Sequence, residues 1–194
     1  MMHRFIQFSI VIIALLVSGC SQQLLRQTCV KLTPEVNYCL APMLQTQTSD
    51  EQFLSQKISF IHGEKHHELL TQLELTTTKM TMVGLAPIGQ ALFTVTFDGD
   101  EVISQQNVLM GEDFKAEYLM AIMQLIYWPH EQVNPYFSQG EMRDIDCDQQ
   151  RCSALFVNNE PAITIDYSNK NPWISEVTLH FPAANITLSI SPLL

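Results

Sequence analysis

Short segments in which apolar and polar residues alternate recur along most of the chain. They are rich in Val, Ile, Thr and Phe, the residue types that favour strands. These segments cover residues 58–61, 69–75, 79–83, 92–97, 101–104, 152–157, 162–167, 174–180 and 185–190. Short strands at such regular spacing, with few helical segments between them, predict one antiparallel meander or barrel. Asp98-Gly99-Asp100 follows one of them and predicts a hairpin turn.

The segment 112–128 has a different pattern, which predicts a helix. Glu112 and Asp113 at its start suit the positive end of a helix dipole, and Pro129 ends the helix. Between residues 118 and 128 only Gln124 is polar, whereas an amphipathic surface helix shows a polar face at every turn. We therefore expect a helix that is enclosed on several sides, either held by a curled sheet or packed as an ordinary core helix.

The N-terminus has the pattern of a secretory signal. Arg4 provides a positive start, residues 5–17 are mainly apolar, and the small residues Ser18 and Gly19 suit a signal peptidase. Cys20 then stands where the bacterial lipobox has its acylated cysteine, so we expect a signal peptide over residues 1–19 and lipidation of Cys20. An ordinary signal peptide followed by an incidental cysteine is the alternative interpretation.

The residue after Cys20 and the net charge bear on where the mature protein works. Ser21, rather than Asp, favours outer-membrane delivery by resemblance to sorted bacterial lipoproteins. We therefore expect a lipid-anchored protein on the periplasmic face of the outer membrane. Without Arg4, 20 acidic residues stand against 9 basic ones, a formal charge of −11, which makes nucleic acid a poor partner.

The mature chain is long enough for one domain with a sizeable core. Residues 20–50 include a Thr/Gln-rich patch at 45–49 and are predicted to be the lipidated N-terminus and a tether. Residues 51–194 are predicted to form a single domain.

Four cysteines remain after Cys20, an even number in an oxidising compartment. They are Cys29, Cys39, Cys147 and Cys152. Disulfides between sequence neighbours would join Cys29 to Cys39 and Cys147 to Cys152, the second closing a hairpin loop. Zinc is the rival interpretation, but the chain has no C-x-x-C spacing.

The turn at residues 84–90, Gly84-Leu85-Ala86-Pro87-Ile88-Gly89-Gln90, contains apolar residues where polar ones are usual. Here the chain resembles LolB, the outer-membrane lipoprotein that receives and inserts other lipoproteins. LolB has a Pro-Leu-Gly turn between strands, and Ile88 is the position that matches its projecting apolar residue. The sequence is similar, more closely, to an uncharacterised LolB-like lipoprotein family found with aryl-polyene biosynthesis genes, which shows a Gly-Leu-x-Pro-x-Gly-Gln turn.

The resemblance implies a mainly β (α+β) fold, a half-open antiparallel β-barrel of the LolA/LolB type with a lid helix. It also implies that Leu85, Pro87 and Ile88 form a membrane-transfer loop. The candidate ligand-binding residues are Leu119, Ile122, Met123 and Ile126. The expected partners are a lipid or acylated cargo, the outer membrane and a periplasmic donor carrier. In a departure from LolB, Trp128 directly precedes the proline, and the four extra cysteines are not part of the LolB pattern.

Other chemistry has little support in the sequence. The histidines around His66 are expected to lie in a solvated turn, and the calcium-loop pattern that begins at Asp144 lacks its glycine and its final glutamate. We therefore expect no metal, no cofactor and no catalytic residues. Two further functions remain open: a structural or assembly accessory lipoprotein with a filled core, and an anchored hydrolase.

Overall fold

A computed structural model of the chain describes residues 22–43, 51–107, 110 and 114–193. The predicted signal peptide, Cys20 and Ser21 lie outside the described residues. The strands are β1 Gln22–Arg26, β2 Cys29–Lys31, β3 Asn37–Cys39, β4 Gln52–His62, β5 Lys65–Leu75, β6 Met80–Leu85, β7 Ala91–Phe97, β8 Val102–Gln106, β9 Glu141–Ile145, β10 Arg151–Val157, β11 Glu160–Tyr167, β12 Val177–Phe181 and β13 Ile186–Pro192. The helices are α1 Ala116–Tyr127 and α2 His130–Val133, with short 3-10 turns at Asn134–Tyr136, Pro172–Ile174 and Pro182–Ala184.

Eleven of these strands form one antiparallel sheet, in the order β1-β8-β7-β6-β5-β4-β13-β12-β11-β10-β9. The order ends at β1 and β9, so the sheet does not close. The prediction of a mainly β protein with a large antiparallel sheet is confirmed. The Asp98-Gly99-Asp100 hairpin turn is confirmed as well, because Phe97 pairs with Val102 across it.

Two meanders meet in the middle of the sheet. One runs from β4 to β8 and the other from β9 to β13, and they join where β4 pairs with β13 from His62 opposite Ile186 to Gln56 opposite Pro192. This long-range pairing allows the two halves to share a core. Along β7, Phe93, Val95 and Phe97 are buried and alternate with less buried neighbours, so one face of the strand packs into that core.

Helix α1 connects the two meanders and ends before Pro129, as predicted. Of its twelve residues only Tyr118 and Leu119 are not buried, which confirms that it is enclosed on several sides. Within the described ranges, no helix has the length and apolar character needed to cross a bilayer.

The prediction that residues 20–50 are a tether outside the domain is wrong for residues 22–43. β1 pairs with β8 through five residue pairs, and β2 and β3 form a separate hairpin. Val30, Tyr38 and Leu40 are buried in the same core as α1. The strands in this segment are only three to five residues long, too short for alternation to stand out from the polar residues around them.

Both predicted disulfides are present. Cys29 lies opposite Cys39 in the β2–β3 hairpin, and the two are bonded. Cys147 is bonded to Cys152 and closes the loop between β9 and β10. The first bond therefore holds together the part of the N-terminal segment that lies nearest to α1.

Candidate functional site

Helix α1 is fastened to the sheet by polar contacts at both of its ends. At its first turn, Glu117 lies 3.9 Å from the guanidinium of Arg26 on β1, and both side chains are nearly buried. At its last turn, the hydroxyl of Tyr127 accepts a hydrogen bond from the side-chain amide of Gln56 on β4. The hydroxyl of Tyr167 on β11 donates to the carbonyl of Ile126 at 3.2 Å.

Residues 29–43, which we call the N-terminal cover, pack on another side of α1. The side-chain oxygen of Gln124 accepts hydrogen bonds from the hydroxyl of Tyr38 at 2.7 Å and from the N–H of Ala41 at 2.8 Å. Its amide nitrogen donates to the carbonyl of Ala41 at 2.8 Å. The indole N–H of Trp128 donates to the carbonyl of Pro42 at 3.1 Å. Both polar side-chain atoms of Gln124 thus have hydrogen-bond partners in the N-terminal cover.

The four candidate ligand-binding residues lie at helical spacing along α1. Leu119, Ile122 and Ile126 are on the side of the helix away from Gln124, with Met123 beside them. Met123 and Ile126 are buried in the core, Ile122 is 8% exposed, and Leu119 is partly exposed. Leu119 is therefore the member of the set that a ligand could reach first.

Partly buried apolar side chains extend the core beyond α1. They include Phe60, Leu69, Leu92, Phe114 and Leu119, all packed against the buried cluster. The centroid of the Phe114 ring, just before α1, lies 4.7 Å from the centroid of the Phe93 ring on β7. Phe93 in turn covers Gly84, where an added Cβ would stand only 2.1 Å from the ring. Gly84 thus leaves room for this aromatic pair, a role that the sequence does not reveal.

The turn between β6 and β7 holds Ile88 in solvent. The N–H of Gly89 donates to the carbonyl of Ala86, and the N–H of Ala86 donates to the carbonyl of Gln90, each at 2.8 Å. Gly89 has a φ of 82°, a conformation that favours glycine. Ile88 is 86% exposed, Pro87 is exposed and Leu85 is partly buried. The candidate site thus has two parts, an exposed turn with Ile88 at its tip and the largely buried helix α1.

Strand register places this turn at the same end of the sheet as the start of β1. Gln22 lies opposite Gln106, Gln106 opposite Phe93, and Phe93 opposite Gly84, the residue that precedes Leu85. The chain reaches β1 only two residues after Cys20. We call this end of the sheet, with Gln22 and the 86–90 turn, the anchor end, after the lipidation of Cys20 that the sequence predicts.

A second polar cluster lies beside α2, where a histidine and a carboxylate converge. Nδ1 of His130 is 4.0 Å from Asp144, and the guanidinium of Arg151 is 3.6 Å from the same carboxylate. Burial lowers the pKa of His130. Ser153 lies opposite Asp144 in the strand register, but it is fully buried, so this arrangement gives a substrate no access to the serine.

Two buried tyrosines at α1 have raised pKa values. Burial raises the pKa of Tyr127 to about 12 and raises the pKa of Tyr38 further still. The predicted solvated turn near His66 is a two-residue hairpin connection between β4 and β5, and its residues are exposed. Among the described residues, no three His, Cys, Asp or Glu side chains are placed to hold a metal ion.

Residues 54–194 match a family described as a protein of unknown function, DUF3261. The match begins within β4 and covers the rest of the chain, so β1 and the N-terminal cover precede it. No curated protein matches the sequence.

Proposed function

The chain belongs to the DUF3261 family, and we propose that it is a LolB-like lipoprotein of the outer membrane that carries apolar chains. In this proposal, acylated Cys20 holds the protein on the periplasmic face. The sheet acts as a half-open barrel with α1 as its lid. An acyl-like or polyene lipid, or the acyl chains of a lipoprotein, binds beside α1 after transfer from a periplasmic donor. The 86–90 turn, with Leu85, Pro87 and Ile88, then delivers the cargo to the membrane.

The observation that carries this proposal is the exposure of Ile88 at the anchor end. The side chain is 86% exposed on a turn that two backbone hydrogen bonds define, next to strands that form the core. An exposed apolar side chain in water gains about 1.5–3 kcal/mol when it is buried fully. A nearby bilayer offers that burial, and the start of β1 lies at the same end of the sheet.

The apolar surface near α1 suits a flexible hydrocarbon chain. Leu119, Leu92 and Phe114 are partly exposed and adjoin the buried core. Each square ångström of hydrocarbon that leaves water contributes about 25 cal/mol, so binding requires no bond chemistry. Because Met123 and Ile126 are buried, a chain that reaches them must displace part of the packing around α1.

Transfer of a fluorescent long-chain phospholipid from the protein to acceptor vesicles tests this function. We expect Ile88→Glu to slow transfer at least fivefold, because a charged residue cannot enter the hydrocarbon layer, while Ile88→Leu keeps most of the rate. Thr77→Glu, in the exposed turn at the opposite end of the sheet, is the matched control. Equal transfer by wild type and Ile88→Glu would contradict the delivery role.

The burial of α1 favours one alternative function. Met123, Gln124 and Ile126 are at most 1% exposed, and the N-terminal cover closes one side of the helix. A core that stays filled in this way suits a structural or assembly accessory that holds a partner at the membrane. Such a protein would copurify with a protein partner and would show no saturable binding of fatty acids or phospholipids.

A further inference from the structure

The link between the proposed anchor and the folded domain is very short. Only Ser21 separates Cys20 from Gln22, the first residue of β1. The Cα atoms of Cys20 and Gln22 are therefore at most about 7 Å apart. β1 is paired with β8 from Gln22 to Arg26, and Arg26 is also hydrogen-bonded to Ser104 at 2.8 Å. An acylated Cys20 would therefore hold the anchor end of the sheet against the bilayer surface.

At this same end the hairpin of β4 and β5 extends beyond β6, whereas on its other side β13 pairs with β4 as far as His62. β5 pairs with β6 only from Leu70 onward, opposite Leu85, so residues 65–69 run beyond the end of β6. Each of the two hairpin strands has eleven residues, whereas β6 has six. The tip of this hairpin, residues 61–67, is exposed at every position.

The chemistry of the hairpin tip differs from that of the whole chain. The chain has twice as many acidic as basic residues, but the tip has one acid, Glu64, beside Lys65 and three histidines, His62, His66 and His67. Ile61, at the base of the tip, is 43% exposed. The nearby Glu68 lies 3.5 Å from the ammonium of Lys57 and 3.9 Å from Nε2 of His66, and the described residues give Lys65 no ion-pair partner.

The opposite end of the sheet has a contrasting turn. Asp98, Asp100 and Glu101 lie together between β7 and β8. An anionic bilayer would repel those three acidic residues, whereas at the hairpin tip the charges of Glu64 and Lys65 offset each other and the tip is not repelled. The charge distribution and the short link from Cys20 to β1 therefore both favour an orientation with the anchor end toward the bilayer.

We propose that the tip of the β4–β5 hairpin is a phospholipid-docking element that makes a second bilayer contact beside Ile88. Lys65 and the imidazoles contact headgroup phosphates, and Ile61 enters the interface. This proposal rests on the proposed function, because acylated Cys20 brings the tip to the membrane. It adds a polar contact that fixes how the domain sits on the bilayer, so that the 86–90 turn points toward the lipid.

Hydrogen exchange measured by mass spectrometry tests the docking element on the acylated mature protein. The protein is compared in vesicles of phosphatidylethanolamine and phosphatidylglycerol and in neutral detergent micelles. We expect the peptide that covers residues 61–67 to exchange at least threefold more slowly on vesicles. The double variant Lys65→Glu/His67→Glu should lose this protection. Lys79→Glu, a lysine in the exposed turn at the opposite end, should keep it.

The outcomes separate this proposal from the proposed function. Protection of residues 86–90 without protection of 61–67 would overturn the docking element and leave the role of Ile88 intact. No protection of either segment would contradict both. Unchanged exchange in β7, a core strand, establishes that the variants remain folded.

Discussion

The side chain of Gln124 pairs with the backbone of Ala41 as a neighbouring strand would. Its oxygen accepts from the N–H of Ala41 and its nitrogen donates to the carbonyl, each at 2.8 Å, across 83 positions of sequence. Tyr38 donates a third hydrogen bond to the same side chain. The N-terminal cover is thereby joined to the middle of α1.

Replacement of Gln124 by Leu should destabilise the protein by at least about 3 kcal/mol. Leu fills a similar volume but leaves the Ala41 backbone groups and the Tyr38 hydroxyl buried without partners, at about 1–3 kcal/mol for each unpaired group. Urea unfolding measures the change. Gln72→Leu, at an exposed position on β5, is the control and should shift stability by less than about 0.5 kcal/mol. Equal losses in the two variants would contradict the role of Gln124.

Replacement of Gly84 by Ala should cost about 1–3 kcal/mol, because the new methyl group would meet the Phe93 ring. The ring cannot retreat freely, since Phe93 is buried and packs against Phe114. In a Phe93→Leu background the same replacement should cost less. Thermal unfolding of the four proteins in this double-mutant cycle gives the coupling free energy between positions 84 and 93. Purely additive effects would refute the close approach of the Phe93 ring to Gly84.

Removal of the Cys29–Cys39 disulfide should loosen the N-terminal cover. Loss of the crosslink, with its sequence separation of 10, should cost about 3 kcal/mol, and the cover's amides should exchange faster. The matched control removes Cys147–Cys152, with a separation of 5, which should cost about 2 kcal/mol. Hydrogen exchange of residues 29–43, measured in both variants, shows whether the cover loosens only when Cys29–Cys39 is removed. Equal acceleration there in both variants would show that the first bond has no local effect.

Stability should fall on mild acidification because of His130. Its pKa lies below the ordinary 6.5, mainly because of burial; Asp144 and Glu131 raise it, whereas Arg151 lowers it. The unfolded chain therefore binds the proton more readily, so the contribution is complete above pH 6.5 and is lost as pH falls below it. His130→Gln should flatten the pH dependence of the urea midpoint between pH 6.5 and 5. An unchanged slope would contradict this assignment.

Local patterns in the sequence predict most of the sheet. Alternation at 92–97 and 185–190 identifies β7 and β13, and Asp98-Gly99-Asp100 identifies the turn before β8. Pro129 and the apolar run before it identify α1. These features depend on neighbours in sequence, so a single chain reveals them.

Long-range features could not be predicted in the same way. The pairing of β4 with β13 joins residues that are more than 120 positions apart, and no local pattern encodes it. β1 is not predicted, because Gln22 and Gln23 resemble a polar linker. Gln124 stands out in the sequence as the polar residue of an apolar run, but its pairing with the backbone of Ala41 depends on the tertiary fold.

Photocrosslinking with a long-chain fatty acid that bears a diazirine tests most directly whether an apolar chain binds beside α1. We predict saturable crosslinks to the peptide that contains Leu119–Ile126, and at least a fivefold loss of crosslinking in Leu119→Arg, a variant of a partly exposed residue. Unlabelled fatty acid should compete. Labelling that does not saturate, or that is confined to peptides away from α1, would contradict the carrier function.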